Sequence, residues 1–464
     1  MQPKEVHFFS VRGRCFAYDV HTTACAEVNH TALSLLPEML SGVRQGLAER
    51  YAGLCRPAEL RACLRQCRQL LETGLFGVRP KPYRHRLQTR LLGVCLHVAH
   101  HCNLRCAYCY AEAGSFGRHR GLMGSGVLRR AIDFALAHSD RGRTLDIGFF
   151  GGEPLVNFER VREGVLYARQ RAEVLGQQVS FSLTSNATLL RPDVMEFLAR
   201  EQFSLIFSLD GPRRIHDRLR RDAAGRGTHA LVLRNIQRYR RLYGDGFTVR
   251  GTFTRLTPDF SEQVLFLNDQ GFQSVSVEPS QISPPDPLAI SSEADILRVK
   301  LEYDHLAYLY LERWDQGRPL HFFHFDQPLR RLLRPDPLHT QCGAGGGYVA
   351  VTPEGKLFPC FEAVVEEENC IGDLETGFDP DKRRVFQSIH AGARAGCKAC
   401  WLRHHCGGGC HAFNIRFNRD IQTPYQPYCE FAEHRLTLAA WMLSEVQARG
   451  RDALRRLAVH VGLK

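Results

Sequence analysis

Three cysteines constrain this chain more than any other feature. Cys102, Cys106 and Cys109 stand in a C-x3-C-x2-C run, His101-Cys102-Asn103-Leu104-Arg105-Cys106-Ala107-Tyr108-Cys109-Tyr110, directly after the apolar stretch 91–98. Three thiolates this close together on a loop can hold three irons of a 4Fe-4S cube and leave the fourth iron without a protein ligand. An open iron can bind a substrate. Structural zinc is normally held by four ligands arriving as two close pairs, and a triplet with an aromatic residue before its last cysteine does not supply them.

Length and composition set the bounds around that loop. With 464 residues, 44% of them hydrophobic, the chain has room for about two to four domains with well-formed cores. No apolar run approaches the roughly 18 residues of a membrane span, and Met1-Gln2-Pro3-Lys4-Glu5 lacks the charged-then-apolar layout of a signal peptide, so a cytoplasmic protein without a membrane partner is expected. Seventeen cysteines in such a chain point to reduced thiols bound to metal, not to disulfides. A net charge of +12 suits nucleic acid, an acidic peptide or an acidic electron donor, and charge alone does not choose.

In chain order, 7–11 and 15–20 flank Arg12-Gly13 as a hairpin, and 24–28 reads as a third strand. Thr31 is expected to cap a helix from Ala32, and Pro37 to open one towards Tyr51. A further helix from Pro57 to Thr73 places Leu60, Cys63, Leu64, Cys67, Leu70 and Leu71 on one face. Strands followed by a helix-turn-helix pattern amount to a winged helix. From Ser41 to Leu92 eleven Lys or Arg stand against three Glu, a solvated basic face leading into the linker Arg79-Pro80-Lys81-Pro82. A DNA-binding head would look similar.

From Leu91 to about Leu333 strand-like and helix-like segments alternate: a helix over 126–138, a strand over 145–150, a helix over 160–175, then strands over 179–184, 204–209, 248–253 and 274–278. Alternation of this kind gives parallel strands joined by helices, with functional groups at the carboxyl ends of the strands. Gly151-Gly152-Glu153-Pro154 follows its strand at once; glycines admit a ligand close to the backbone, and a glutamate accepts hydrogen bonds from an ammonium group. Thr184-Ser185-Asn186 and Ser208-Leu209-Asp210-Gly211 end the next two strands, where ordinary capping would also account for them. Arg220 or Arg221 could pair with a carboxylate. Residues 343–347 are glycine-rich without a Walker lysine and read as a flexible loop.

The second organising region holds Cys342, Cys360, Cys397, Cys400, Cys406, Cys410 and Cys429. Were they to hold two cubes, which need eight iron ligands, seven cysteines would leave one iron open unless another side chain completed it. An open iron suits a substrate thiolate, which the metal would deprotonate and hold. Cys370 is a possible eighth ligand, although a buried free thiol is its ordinary reading. Cys63 and Cys67 read as core, and His21, His404, His405 and His411 as surface or packing residues. The tail 431–464 reads as an amphipathic helix with Leu436, Leu438, Met442 and Val446 in the core.

The triplet together with Gly151-Gly152-Glu153-Pro154 resembles the signature of radical S-adenosylmethionine enzymes, and the spacing of the seven later cysteines, with Gly355, resembles their SPASM auxiliary-cluster domain. The whole looks like the thioether-forming peptide maturases, among them those of SCIFF (ranthipeptide) precursors and of quinohemoprotein amine dehydrogenase. The resemblance implies an α/β fold: a partial (β/α)6 TIM-like barrel over 88–335, a winged-helix leader-recognition domain over 1–85, a SPASM domain over 340–435 and a C-terminal helix over 436–464. It implies three 4Fe-4S clusters and S-adenosylmethionine as cofactors. Cys102, Cys106 and Cys109 would hold the catalytic cube, Gly151, Gly152, Glu153 and Pro154 the methionine amino end, Thr184, Asn186, Ser208, Asp210 and Arg220 or Arg221 the carboxylate and ribose, and Tyr108 would lie near the adenine. By the family pattern Cys397, Cys400, Cys406 and Cys429 close one auxiliary cluster, and Cys342, Cys360 and Cys410 hold the other; fully ligated members carry a further cysteine where this chain has Tyr348.

The expected partners are a precursor peptide with a leader and a flavodoxin- or ferredoxin-like electron donor; nucleic acid is not expected. Anaerobic sulfatase maturases, which make formylglycine, are a rival reading; they place an aspartate base right after the cysteine corresponding to Cys360, where this chain has Phe361. Peptide epimerisation and carbon–carbon cross-linking use the same clusters. From another class, an iron-sulfur electron carrier would not need Gly151 to Pro154, and an iron-sulfur DNA-binding regulator would show salt-sensitive DNA affinity.

Overall fold

Arg12 and Gly13 both take left-handed backbone (φ 52° and 78°), as a two-residue hairpin turn between right-twisted strands requires. The turn joins β1 (Val6–Val11) to β2 (Arg14–Asp19), and β3 (Cys25–Val28) completes an antiparallel sheet in the order β1-β2-β3. The computed structural model describes residues 5–43, 45–53, 55–78 and 85–463; the expected linker Arg79-Pro80-Lys81-Pro82 lies outside them. Behind this sheet pack the helices Ala32–Ser41, Leu47–Arg50 and Pro57–Glu72, which bury Leu35, Leu36, Met39, Leu60, Cys63 and Cys67 in a core of their own.

Two local expectations fail here. Thr31 makes no capping bond; the side chain of Asn29 accepts from the Ala32 amide instead, at 2.9 Å. Pro37 lies inside Ala32–Ser41 and does not open a helix, because the apolar face formed by Leu35, Leu36 and Met39 carries the chain through it. Leu70 and Leu71 lie at the margin of this core, not within it.

The other face of β1 meets the far end of the chain. His7 and Phe9 stack on Trp401 (ring centroids 4.2 and 5.5 Å), and Tyr18 meets the same indole edge-on.

Six parallel strands follow one another in the central sheet: β4 (Gly93–Ala99), β5 (Leu145–Gly151), β6 (Val179–Ser185), β7 (Ser204–Ser208), β8 (Phe247–Phe253) and β9 (Val275–Pro279). Helices Ser125–His138, Phe158–Leu175, Pro192–Arg200, His229–Tyr243 and Phe260–Asp269 connect them. Period-two alternation sets the faces: Phe247, Val249, Gly251 and Phe253 of β8 are buried, while Thr248, Arg250 and Thr252 are half-buried on the opposite face. That second face is the polar lumen.

The sheet does not stop at the sixth strand. β10 (Tyr348–Val351) adds to β4 in parallel, and β11 (Lys356–Phe358), β12 (Gly372–Asp373) and β13 (Gly377–Phe378) extend it antiparallel to ten strands. The later cysteine region is thereby hydrogen-bonded to the strand that carries the triplet. Its glycine loop is held, not flexible: Arg383 donates to the carbonyls of Gly345 and Gly346, both at 2.9 Å. The tail forms two helices, Gln426–Ala448 and Arg451–His460, because Gly450 (φ 101°) breaks the run. The first of them is buried on most sides, including Leu436, Leu438, Met442 and Val446, where it wedges against Glu293–Asp315 and Phe323–Leu333. No helix among the described residues is long and apolar enough to cross a membrane.

Candidate functional site

The turn after β5 is built onto the start of the cysteine loop. The Gly152 amide donates to the Ala99 carbonyl at 2.8 Å and the Glu153 amide to that of His101 at 2.9 Å. Gly151 takes φ 135°, and a Cβ there would stand 2.2 Å from the Ala99 oxygen; one on Gly152 would stand 2.4 Å from the His101 oxygen. Only glycine lets the two segments come this close.

Cys102, Cys106 and Cys109 line one cavity of about 190 Å³, and its opposite wall carries Gly151, Gly152, Glu153, Thr184, Asn186 and Ser208. Tyr108 and Arg220 close one end. Burial pushes the Cys102 thiol up to about 12 and Cys106 up to about 11, with Glu153 acting further on the first and Arg220 opposing the second. Thiols in this state ionise when a metal replaces their protons.

Glu153 is almost fully buried (1% exposed), yet its carboxylate is held by three donors: the amides of Leu155 (3.1 Å) and Asn186 (2.7 Å) and the Ser185 hydroxyl (2.9 Å). Burial raises its pKa to about 7 against the pull of those bonds. Such a carboxylate is ready for a cation. Asn186 also reaches towards the Cys102 sulfur (3.8 Å) and bonds Asn103 at 2.9 Å, so it ties β6 to the triplet.

Tyr108 donates to Asp210 (2.6 Å) and accepts from Arg220 Nη1 (2.7 Å). Asp210 is fully buried behind Tyr108, off the cavity wall, and also takes the Thr252 amide at 3.1 Å. Arg220 Nε has no partner among the described residues, an orphaned buried donor at the cavity that fits a carboxylate ligand. Arg221 is exposed outside, bonded to the Asp217 carbonyl, and Pro154 is buried off the wall at the start of a short helix. Three thiols on one cavity, a glycine cradle, a buried carboxylate and a guanidinium with a free Nε–H therefore fit an iron-sulfur cube and an amino-acid nucleotide.

A second cavity of about 590 Å³ adjoins the first, and Arg250, Glu278, Pro279, Gln281 and Glu362 line both. Its far wall carries Cys342, Cys406 and Cys410. Burial would raise Glu278, but His324 (2.9 Å), Arg250 and the Ser276 hydroxyl (2.5 Å) overcome it and hold the carboxyl well below the usual range. Glu362 accepts from Gln281 at 2.7 Å and stands 4.0 Å from the Cys410 sulfur.

The seven later cysteines fall into two neighbourhoods. After burial, Cys360 is raised by Glu362, Cys410 and Cys342, and Cys410 by Glu362 and Cys342. Cys397, Cys400 and Cys429 are raised instead by burial and then by neighbours within their own set, chiefly Cys406. Cys370 is not part of either; its sulfur donates to the Gly372 carbonyl at 3.3 Å in an apolar cluster with Phe116 and Phe358. Tyr348, at the position of the absent eighth cysteine, packs against Gly93 on β4.

Sequence reasoning missed Ser185, Arg250, Glu278, His324 and Glu362 as site residues. Ser185 ends β6 at the cavity wall, where it donates to Glu153, but Glu278 and His324 meet across 46 positions with no local signal.

Residues 96–259 match the Radical SAM superfamily. This segment is a radical SAM domain. The family uses a 4Fe-4S cluster and S-adenosylmethionine. The chain is similar to the cysteine-type anaerobic sulfatase-maturating enzyme of Clostridium perfringens (strain 13 / Type A), 24% identical over 72% of this chain and 93% of the relative. It is also similar to the serine-type enzyme of Klebsiella aerogenes, 23% identical over 70% and 84%. Among solved structures, anSMEcpe with bound AdoMet superposes with a TM-score of 0.65 at 21% identity, covering 80% of this chain and 99% of that one. Streptococcus suis SuiB bound to its precursor peptide SuiA gives 0.50 at 15% identity, covering 91% and 100%. These likenesses concern the fold.

Proposed function

We propose that this radical SAM enzyme modifies a ribosomally made precursor peptide, joining a cysteine sulfur to a carbon of the same peptide as a thioether. The observation that carries the reading is the pair of adjoining cavities: a peptide entering through the larger one reaches the triplet cavity past Arg250, Glu278 and Glu362 with the Cys342, Cys360 and Cys410 neighbourhood beside it. In this assignment Cys102, Cys106 and Cys109 hold the catalytic cube, and the two later sets hold auxiliary cubes, one with three cysteines. When bound, the catalytic cube and S-adenosylmethionine supply a one-electron cleavage whose 5′-deoxyadenosyl radical takes a hydrogen atom from the substrate.

The chain's own residues do the rest. Glu153 takes the methionine ammonium, and the free Nε–H of Arg220 faces the carboxylate end. Gly151 and Gly152 let the nucleotide approach the backbone, with Thr184, Asn186 and Ser208 as further polar contacts on that wall. Tyr108, fixed between Asp210 and Arg220, offers its ring to the adenine. Asp210 acts through Tyr108. Residues 1–85 serve the leader, which would add a strand to an edge of the β1-β2-β3 sheet. Residues 340–435 serve as the SPASM domain, and the net charge of +12 suits an acidic flavodoxin- or ferredoxin-like donor.

Formylglycine formation is the second reading. It draws on the curated relatives and on Glu362, a carboxylate facing both cavities one residue beyond Phe361. Tandem mass spectrometry of a precursor co-expressed with the enzyme separates the two. A thioether removes two hydrogens per link and protects the cysteine from alkylation; formylglycine removes sulfur from a cysteine and leaves an aldehyde that hydrazides capture. A precursor returned at its starting mass overturns both.

A further inference from the structure

Arg394 is one of the largest side chains with no exposure at all. It stands one turn ahead of Cys397, whose amide donates to the Arg394 carbonyl at 3.0 Å. Its Nη1 donates to the carbonyls of Gly408 and, at 3.4 Å, Gly409. Those glycines form the bridge from Cys406 to Cys410, and these two cysteines belong to different neighbourhoods. Nε and Nη2 of Arg394 find no acceptor among the described residues. Among the described residues no carboxylate forms an ion pair with the guanidinium, although Asp420 is close enough to feel its charge.

A guanidinium has donors only and keeps its charge, so burying it with two nitrogens unanswered is costly unless a negative acceptor belongs in the gap. Burial weighs on it most, and the sulfurs of both sets, Cys397, Cys410, Cys406 and Cys342, act against that burial. A cube held by thiolates is negative overall, and one-electron reduction makes it more so. Hydrogen bonds to sulfur and nearby charge are what set its potential.

We propose that Arg394 is a positioning residue shared by the two auxiliary clusters, its free Nε–H and Nη2–H donating to their sulfur and raising the reduction potential of both. The proposal rests on the two-cluster assignment made above, and it is independent of which bond the enzyme makes in its peptide. It also explains why a cation is buried beside the glycine bridge, where its carbonyl contacts hold it between the two sets.

The test is an EPR-monitored redox titration of the full chain carrying Cys102→Ala, Cys106→Ala and Cys109→Ala, so that only auxiliary clusters contribute. Adding Arg394→Gln should lower the reduction equilibrium constant of both clusters at least tenfold, 59 mV for a one-electron couple. Arg394→Lys, which keeps the charge, should lower it less. Midpoints that stay put, or a shift in one cluster alone, with iron content equal to the parent, overturn the proposal. Should neither variant load iron, the parent protein grown with 15N-arginine decides: nitrogen hyperfine coupling on both reduced signals supports the proposal, and coupling on one or neither overturns it. A parent with fewer than two auxiliary clusters overturns the cluster assignment itself, which distinguishes that failure from a failure of Arg394.

Discussion

Replacing Gly152 by alanine should disable the catalytic cavity while leaving the fold in place. The added Cβ would stand 2.4 Å from the His101 oxygen, 2.6 Å from the His101 carbonyl carbon and 2.7 Å from Gly114 Cα. All three are backbone atoms, so no side chain can swing aside. To reach even 3.0 Å from that oxygen the two segments must separate by about 0.6 Å, and His101 directly precedes the first cysteine. Overpacking of this kind costs about 1–3 kcal/mol, which a chain with so extensive a core tolerates. Misplacing reacting groups by about 1 Å costs about a hundredfold in rate. Gly152→Ala protein should therefore keep its far-UV spectrum and its auxiliary iron and melt a few degrees lower. Its reductive cleavage of S-adenosylmethionine should fall about a hundredfold. Gly246→Ala is the control, since a Cβ at Gly246 meets nothing within 4 Å. Anaerobic reconstitution, iron analysis and chromatographic assay of 5′-deoxyadenosine make the comparison. Cleavage within twofold of the parent would refute the claim that the two segments must touch.

Three further outcomes follow from the same geometry. Burial disfavours the charge of Glu153 and raises its pKa to about 7; an ammonium needs the ionised form, so affinity for S-adenosylmethionine should be flat above pH 8 and fall below pH 7, by at most about tenfold per pH unit. Equilibrium dialysis at pH 6 and pH 8 checks the sign, and equal affinity at both would count against Glu153 as the cation partner. Cys106→Ala should abolish cleavage while removing about one third of the iron, the share of one cube in three, and retained cleavage would reassign the site. Trp401→Ala strips β1 of its stacking partner; with Trp401 half-buried the cost should be about 2–3 kcal/mol, below that of a fully buried tryptophan, and proteolysis should begin within the first 78 residues. Cleavage elsewhere would refute that seat.

Local spacing made much of the site legible. The triplet, the Gly-Gly-Glu-Pro turn and the strand ends were visible because a ligand loop is closed by residues a few positions apart. Where two neighbours carried the same chemistry, spacing could not separate them. Arg220 enters the cavity and Arg221 leaves it, because the helix Arg213–Leu219 ends just before them, Arg220 takes extended backbone and Tyr108 receives only the first. Pro37 misled for a related reason: its rule is local, whereas the helix around it is held by burial of Leu35, Leu36 and Met39.

By itself the sequence determined which thiols stand together, three in one short loop and seven more downstream, a donor set suited to iron-sulfur ligation. Tertiary structure alone decided which groups share a cavity. Glu278 and His324, Gln281 and Glu362, and Arg394 with the Gly408 carbonyl are joined by packing, and such contacts depend on excluded water and three-dimensional fit, which no periodicity along the chain records.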